Sequence, residues 1–215
     1  MIITNGKVAL PNQGDFRDVD LRIEGETIAE IGSKLTGDPE RLDADGLWIL
    51  PGGVDAHVHF DDPGYTDRED FFTGSCAAAS GGITTVIDMP CTSIPPVTSV
   101  DNLRQKLATI QHKAVVDYGL YGGVCEQSYG HGFPANMKDL SEFVLGYKTY
   151  LHSGMDTFRQ LNLRQLEQVL HIGRGIHLPV LVHAEDHDYV QAATEEARQR
   201  GHSPRHYYES RPEIA

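Results

Sequence analysis

The chain has 215 residues, enough for one large domain or a domain with a small appendage, and its hydrophobic fraction of 40% is ordinary for a globule. Eighteen basic against 31 acidic residues give a formal charge of -13, which repels nucleic-acid phosphates and anionic membrane surfaces and points to a small-molecule partner. The apolar runs are strand-sized and no signal-peptide pattern opens the chain, so a cytoplasmic location is expected.

Short alternating runs fill residues 1–50: Met1-Ile2-Ile3, Lys7 to Leu10, Val19 to Ile23 and Thr27 to Ile31, punctuated by turns at Asn5-Gly6, Glu24-Gly25 and Gly37-Asp38-Pro39. Period-two alternation between turn residues predicts a small antiparallel β portion. From Trp48 onward the pattern changes. Apolar strands are predicted over 49–59, 84–89, 115–122, 144–151 and 179–183. Helix-period faces lie between or after them, over 67–80, 99–113, 137–143, 163–173 and 186–200. Gly81-Gly82 and Gly173-Arg174-Gly175 read as helix stops. Repeated β-α units imply an α/β portion, 51–215, built on a parallel sheet with right-handed crossovers.

The first of these strands ends in His57-Val58-His59. Residues i and i+2 of a strand face the same way, so both imidazoles are presented to one side at a carboxyl end, where ligands gather in parallel sheets. So apolar a run reads as a strand buried on both faces. Lys148 lies in the run Val144 to Leu151. A buried unpaired ammonium is costly, so a neutral amine able to take up carbon dioxide as a carbamate competes with a lysine whose head reaches solvent. His183 closes Leu178 to His183 as a third imidazole at a third strand end. Imidazole and oxygen donors suit zinc, and the convergent set predicts a metal site.

Around it, Asp55 and Asp88 are placed to accept from ligating imidazoles or to cap turns. Asp61-Asp62-Pro63-Gly64 leaves the site as a loop, Ser93-Ile94-Pro95-Pro96 forms a stiff wall, and His152-Ser153-Gly154 could meet a ligand or make an ordinary turn. Asp186 and His187 head a helix, which favours capping. Cys76, Cys91 and Cys125 lack metal or disulfide spacing and read as buried thiols. His112, His131, His171, His177, His202 and His206 read as surface.

The segments Pro51 to His59, Gly81 to Pro90, the Lys148 strand and Val182-His183-Ala184-Glu185 resemble the cyclic amidohydrolases: dihydroorotases, allantoinases and hydantoinases (dihydropyrimidinases). The resemblance implies a (β/α)8 TIM barrel preceded by a β-sandwich portion, with about five of the eight strands present here. It implies two divalent ions, usually zinc. His57 and His59 would bind one, His183 the other, and Lys148 as its carbon-dioxide adduct would bridge them. It also implies a further histidine and a proton-shuttling aspartate that cannot be placed in this chain, so the stretch reads as a fragment, inactive alone and prone to pair through open edges. A homo-oligomer is implied for the full-length form. Asp61 or Phe60 stands where dihydroorotases carry an arginine, and Cys91 where they carry an asparagine. The Ser93 loop, Val116 to Gly123 and the ending Tyr207 to Pro212 resemble allantoinases most, so a small cyclic amide, allantoin opened to allantoate, is the favoured substrate. Asp61, Cys91 and Ser153 are the candidate substrate contacts. A non-catalytic scaffold relative is the alternative of another class.

Overall fold

A computed structural model of the chain describes residues 1–11, 14–201 and 211, and it divides into two compact units, Met1–Gly52 and Gly53–Ala215. The expected allantoinase-like ending at Tyr207 to Pro212 falls almost wholly outside the described residues, as do His202 and His206.

The first unit holds β1 (Ile2–Thr4), β2 (Lys7–Ala9), β3 (Phe16–Asp18), β4 (Asp20–Glu24), β5 (Thr27–Gly32), β6 (Arg41–Asp43) and β7 (Trp48–Ile49). They form a four-stranded sheet, β5-β4-β1-β6, and a three-stranded one, β3-β2-β7. The antiparallel expectation holds for β1/β4, β4/β5 and β2/β3, but β1/β6 and β2/β7 are parallel. The strands that add the parallel pairs, Arg41–Asp43 and Trp48–Ile49, are too short to show an alternation of their own. Ile2, Val8, Leu21, Leu35 and Ala44 make this unit's buried interior. At Gly6 a Cβ would sit 2.5 Å from Ile49 Cδ1 and 3.0 Å from Ala44 Cβ, so a larger residue there would force its neighbours to shift.

The second unit runs β8 (Gly53–Val58), α1 (Phe71–Ser80), β9 (Ile83–Asp88), α2 (Val100–Ile110), β10 (Asp117–Leu120), β11 (Gly122–Gly123), α3 (Glu126–Gly130), α4 (Ala135–Leu140), β12 (Tyr147–Tyr150), α5 (Leu163–Gly175), β13 (Val180–His183) and α6 (His187–Gln199). Every strand pair in it is parallel. Backbone bonds from Tyr121 N–H to Asp88 O and from Gly122 N–H to Gly146 O carry the ladder across the bend between β10 and β11. The result is β8, β9, β10-β11, β12, β13 side by side in chain order, an open arc of five strands rather than a closed barrel.

Helix starts follow local chemistry. Asp70, Ser99, Asn162 and Asp186 each accept from a backbone N–H of the first turn, which is why α1 begins at Phe71 rather than at residue 67. The core gathers Phe60, Phe71, Val86, Leu103, Ile110, Leu120, Leu140, Tyr147 and Val169, with Phe71 meeting Phe60 and Tyr118 edge to face.

Two expectations change. The predicted strand over 49–59 is broken at Leu50-Pro51-Gly52, where proline cannot donate to a ladder, so Trp48–Ile49 belongs to the first unit. And β8 is not buried on both faces. It pairs only with β9 among the described residues, which leaves Val54 63% exposed. An edge position overrides what apolarity alone suggests.

Candidate active site

His57 lies within β8 and His59 just beyond it, their ring centroids 5.4 Å apart. Burial above all, then the charges of Lys148 and of His183, hold His57 below its ordinary range, while Asp55 opposes them. Burial also pushes His59 down to about 4, helped by the His57 charge. Both rings are therefore neutral near pH 7, the state that donates a lone pair. The His59 Nδ1 lies 3.4 Å from Thr92 Oγ1 and 3.7 Å from Cys91 Sγ, which leaves Nε2 without a protein partner among the described residues.

Lys148 is the second residue of β12, 4% exposed, in register with Leu181. His183 is in register with Tyr150 instead, so Lys148 begins two residues, about 7 Å, deeper along the sheet than His183. Burial depresses the Lys148 pKa, against the attraction of Cys91. Its Nζ lies 5.0 Å from the Tyr150 ring centre, and the His183 ring lies 5.1 Å from the same centre. The Tyr150 hydroxyl in turn lies 3.2 Å from Cys91 Sγ.

Tyr150 thus connects the lysine, the third imidazole and the thiol that touches His59. Sequence reasoning missed it, although its i+2 spacing from Lys148 places both on one face of β12. Glu185 was also missed. Two residues beyond His183, its Oε2 accepts from His183 Nε2 at 2.7 Å, which assigns the ring proton to Nε2 and leaves Nδ1 as the available donor. Arg211 Nε holds the other oxygen of Glu185 at 3.0 Å.

The remaining candidates have other partners. Asp55 Oδ1 accepts from the His57 backbone N–H at 3.0 Å. Asp88, expected to receive an imidazole or cap a turn, instead accepts from Phe60 N–H at 2.7 Å and pairs with Lys106 Nζ at 2.8 Å. Lys106 is 1% exposed and also donates to Asp62 O and Ser93 Oγ, at 2.6 and 2.7 Å. Its signal in the sequence was a lysine standing in the buried stripe Leu103, Lys106, Ile110 of α2.

Asp61 is buried and paired with Arg68 at 3.3 Å, and its carboxyl is raised by burial. Ser153 Oγ donates to Phe158 O and accepts from Met155 N–H, which is turn chemistry. Asp186 caps α6, as expected. Cys91 and Cys125 are buried thiols, while Cys76 is half-buried.

Among the described residues no three His, Cys, Asp or Glu side chains are arranged as a ready metal cluster. The donor set here includes an amine that offers two oxygens only as its carbamate, and its chemistry fits a divalent ion: neutral imidazoles, one with its proton fixed by a carboxylate, beside a desolvated lysine.

The comparisons agree with this architecture. L-hydantoinase (dihydropyrimidinase) from Arthrobacter aurescens superposes with a TM-score of 0.85 at 26% identity, over 98% of this chain and 46% of that one. Dihydropyrimidinase from Brevibacillus agri gives 0.80 at 29% identity, over 98% and 46%. In sequence, the chain is similar to allantoinases of Deinococcus radiodurans, 35% identical over 99% of this chain and 47% of that one, and of Streptomyces avermitilis, 42% identical over 78% and 36%. The chain spans about half the length, or less, of the curated relatives it matches. Residues 48–214 match the model of the Amidohydrolase family. With five parallel strands carrying the site and a family match across nearly all of the second unit, the chain belongs to the amidohydrolase family.

Proposed function

We propose that the protein carrying these residues is a metal-dependent hydrolase that opens a cyclic amide, with allantoin to allantoate as its reaction. The observation that carries this is Lys148, a lysine 4% exposed, without a carboxylate partner among the described residues and with its ammonium form penalised by burial. Such an amine adds carbon dioxide: the nitrogen–carbon bond forms, one proton leaves the nitrogen, and a two-oxygen anion replaces a buried cation. His57 and His59 would hold one divalent ion, zinc in this reading, and His183 a second, with the Lys148 carbamate between. When bound, these ions supply a hydroxide at neutral pH and stabilise charge on the attacked carbonyl oxygen.

The chain's own groups prepare that chemistry. Thr92 and Cys91 hold His59 by its Nδ1, Glu185 holds His183 by its Nε2–H, and the Tyr150 ring lies over the lysine amine and limits water there. Asp61, Cys91 and Ser153, in the loops after β8, β9 and β12, are the substrate contacts of this reading. Allantoin is favoured over hydantoins and dihydropyrimidines by the sequence relatives, while the structural neighbours favour the latter pair as the second reading. A cytoplasmic homo-oligomer, with neither nucleic acid nor membrane as partner, completes the proposal. Among the described residues no helix is long and apolar enough to cross a membrane.

Hydrolysis of allantoin, hydantoin, dihydrouracil and dihydroorotate by the zinc-loaded protein, measured side by side, tests it. The highest kcat/KM is expected with allantoin. A folded protein that takes up no metal and opens none of the four rings would establish the scaffold alternative. The 215-residue stretch alone is expected to show no efficient turnover.

A further inference from the structure

A second group of imidazoles lies outside the site above. His152 follows β12 and His187 opens α6, and their Nδ1 atoms face each other at 2.9 Å with ring centroids 5.1 Å apart. We propose that His152 and His187 form a separate site for a borderline divalent transition cation of the copper, nickel or zinc type, completed by the Gln160 amide and water.

The distance suits this. A metal–nitrogen bond of about 2.0–2.1 Å puts two nitrogens about 2.9 Å apart in a right-angled cis pair and about 3.3 Å apart in a tetrahedral one. The observed spacing matches the first and lies a few tenths of an ångström from the second, so side-chain rotation alone aims both lone pairs at one ion. In the apo pair, one Nδ1 must carry a proton and the other accept it. Moving that proton to Nε2 of the same neutral ring frees both Nδ1 lone pairs, and no proton has to leave the protein. Burial first, then the charges of His187 and Arg211, keep His152 neutral.

The surroundings supply a further donor and room for water. The Gln160 amide lies 3.5 Å from His187 Nδ1, and turning it end for end presents its oxygen. His187 and Gln160 line a cleft of about 630 Å³ with Glu126, Asp186, Asp188 and Arg164, which offers room for water, and Glu126 is paired there with Arg159 at 3.2 Å. His183 is held by Glu185, so the two centres share no ligand.

The inference is independent of the hydrolase reading, and Cu²⁺ alone is the probe. Titration of the H57N/H59N protein, followed by calorimetry and electron paramagnetic resonance, is expected to retain one Cu²⁺ with coupling to two nitrogens. Adding H187N, or separately H152N in the loop after β12, is expected to weaken that binding at least tenfold and to remove the two-nitrogen coupling, with the circular dichroism spectrum unchanged. Undiminished Cu²⁺ binding in both added variants, or no Cu²⁺ binding in H57N/H59N, would overturn the assignment.

Discussion

The two sides of the candidate site are built in opposite ways. On the β8–β9 side, Lys106 and Lys113 are clamped by buried acceptors: Lys106 by Asp88, Asp62 O and Ser93, and Lys113 by the Asp62 carboxylate at 2.9 Å. Through Lys106, these bonds tie the loop after β8 to the loop after β9. On the β12–β13 side, His152, His183, Glu185 and His187 are partly exposed and are held by hydrogen bonds to one another and to Arg211. Buried charge fixes a backbone, because breaking it strands an uncompensated ion. Half-exposed imidazoles fix less and remain free to change hydrogen-bond partner.

The comparison breaks most visibly at Lys106. K106M leaves the Asp88 carboxylate buried and unpaired and is expected to cost about 3–5 kcal/mol, read by urea unfolding. Adding D88N should recover most of that loss. A K106M protein with an unchanged midpoint would show that the clamp contributes nothing. On the open side, E185Q keeps the shape but removes the charged acceptor of His183. A loss of about 10- to 100-fold in metal affinity is expected, with little change in unfolding midpoint.

Proton binding sharpens the contrast further. Burial, opposed by Lys106, holds the Asp88 carboxyl at about 6 against an ordinary 3.8. The folded state therefore grips this proton more tightly than the unfolded chain. Its contribution to stability is full below about 3.8 and is lost as pH rises through about 6. The K106M/D88N protein should lack that decline, and an identical slope in both proteins would refute the assignment to Asp88. The smallest effect is expected at the exposed Arg104–Asp101 pair on α2, where R104A should move the unfolding free energy by less than about 0.5 kcal/mol.

What the sequence revealed follows the same division. The central strands β9 and β12 were legible because they lie in strand-sized runs rich in β-branched and aromatic residues. The exposure of β8 was not, since nothing in Gly53 to Val58 says that it pairs on one side only among the described residues. The candidate donors His57, His59, Lys148 and His183 could be named because strand ends are regular. The groups that orient them were harder to find. Asp88 looked like an acceptor for imidazole until α2 brought Lys106 to it across eighteen residues of chain, a tertiary encounter with no local pattern. Tyr150 and Glu185 did carry a local signal, the i+2 spacing from Lys148 and His183, but that spacing is common to every strand residue and acquires meaning only with the contacts in hand.

The central claim is that the Lys148 amine is consumed as a carbamate between two cations. Carbon-13 NMR of the zinc-loaded protein prepared in ¹³C-bicarbonate reads it directly. A protected carbamate resonance is expected, present in wild type, absent in K148A, and lost together with the metal on chelation. A protein that holds its full complement of zinc with no such resonance, or a K148A protein that retains it, would contradict the account.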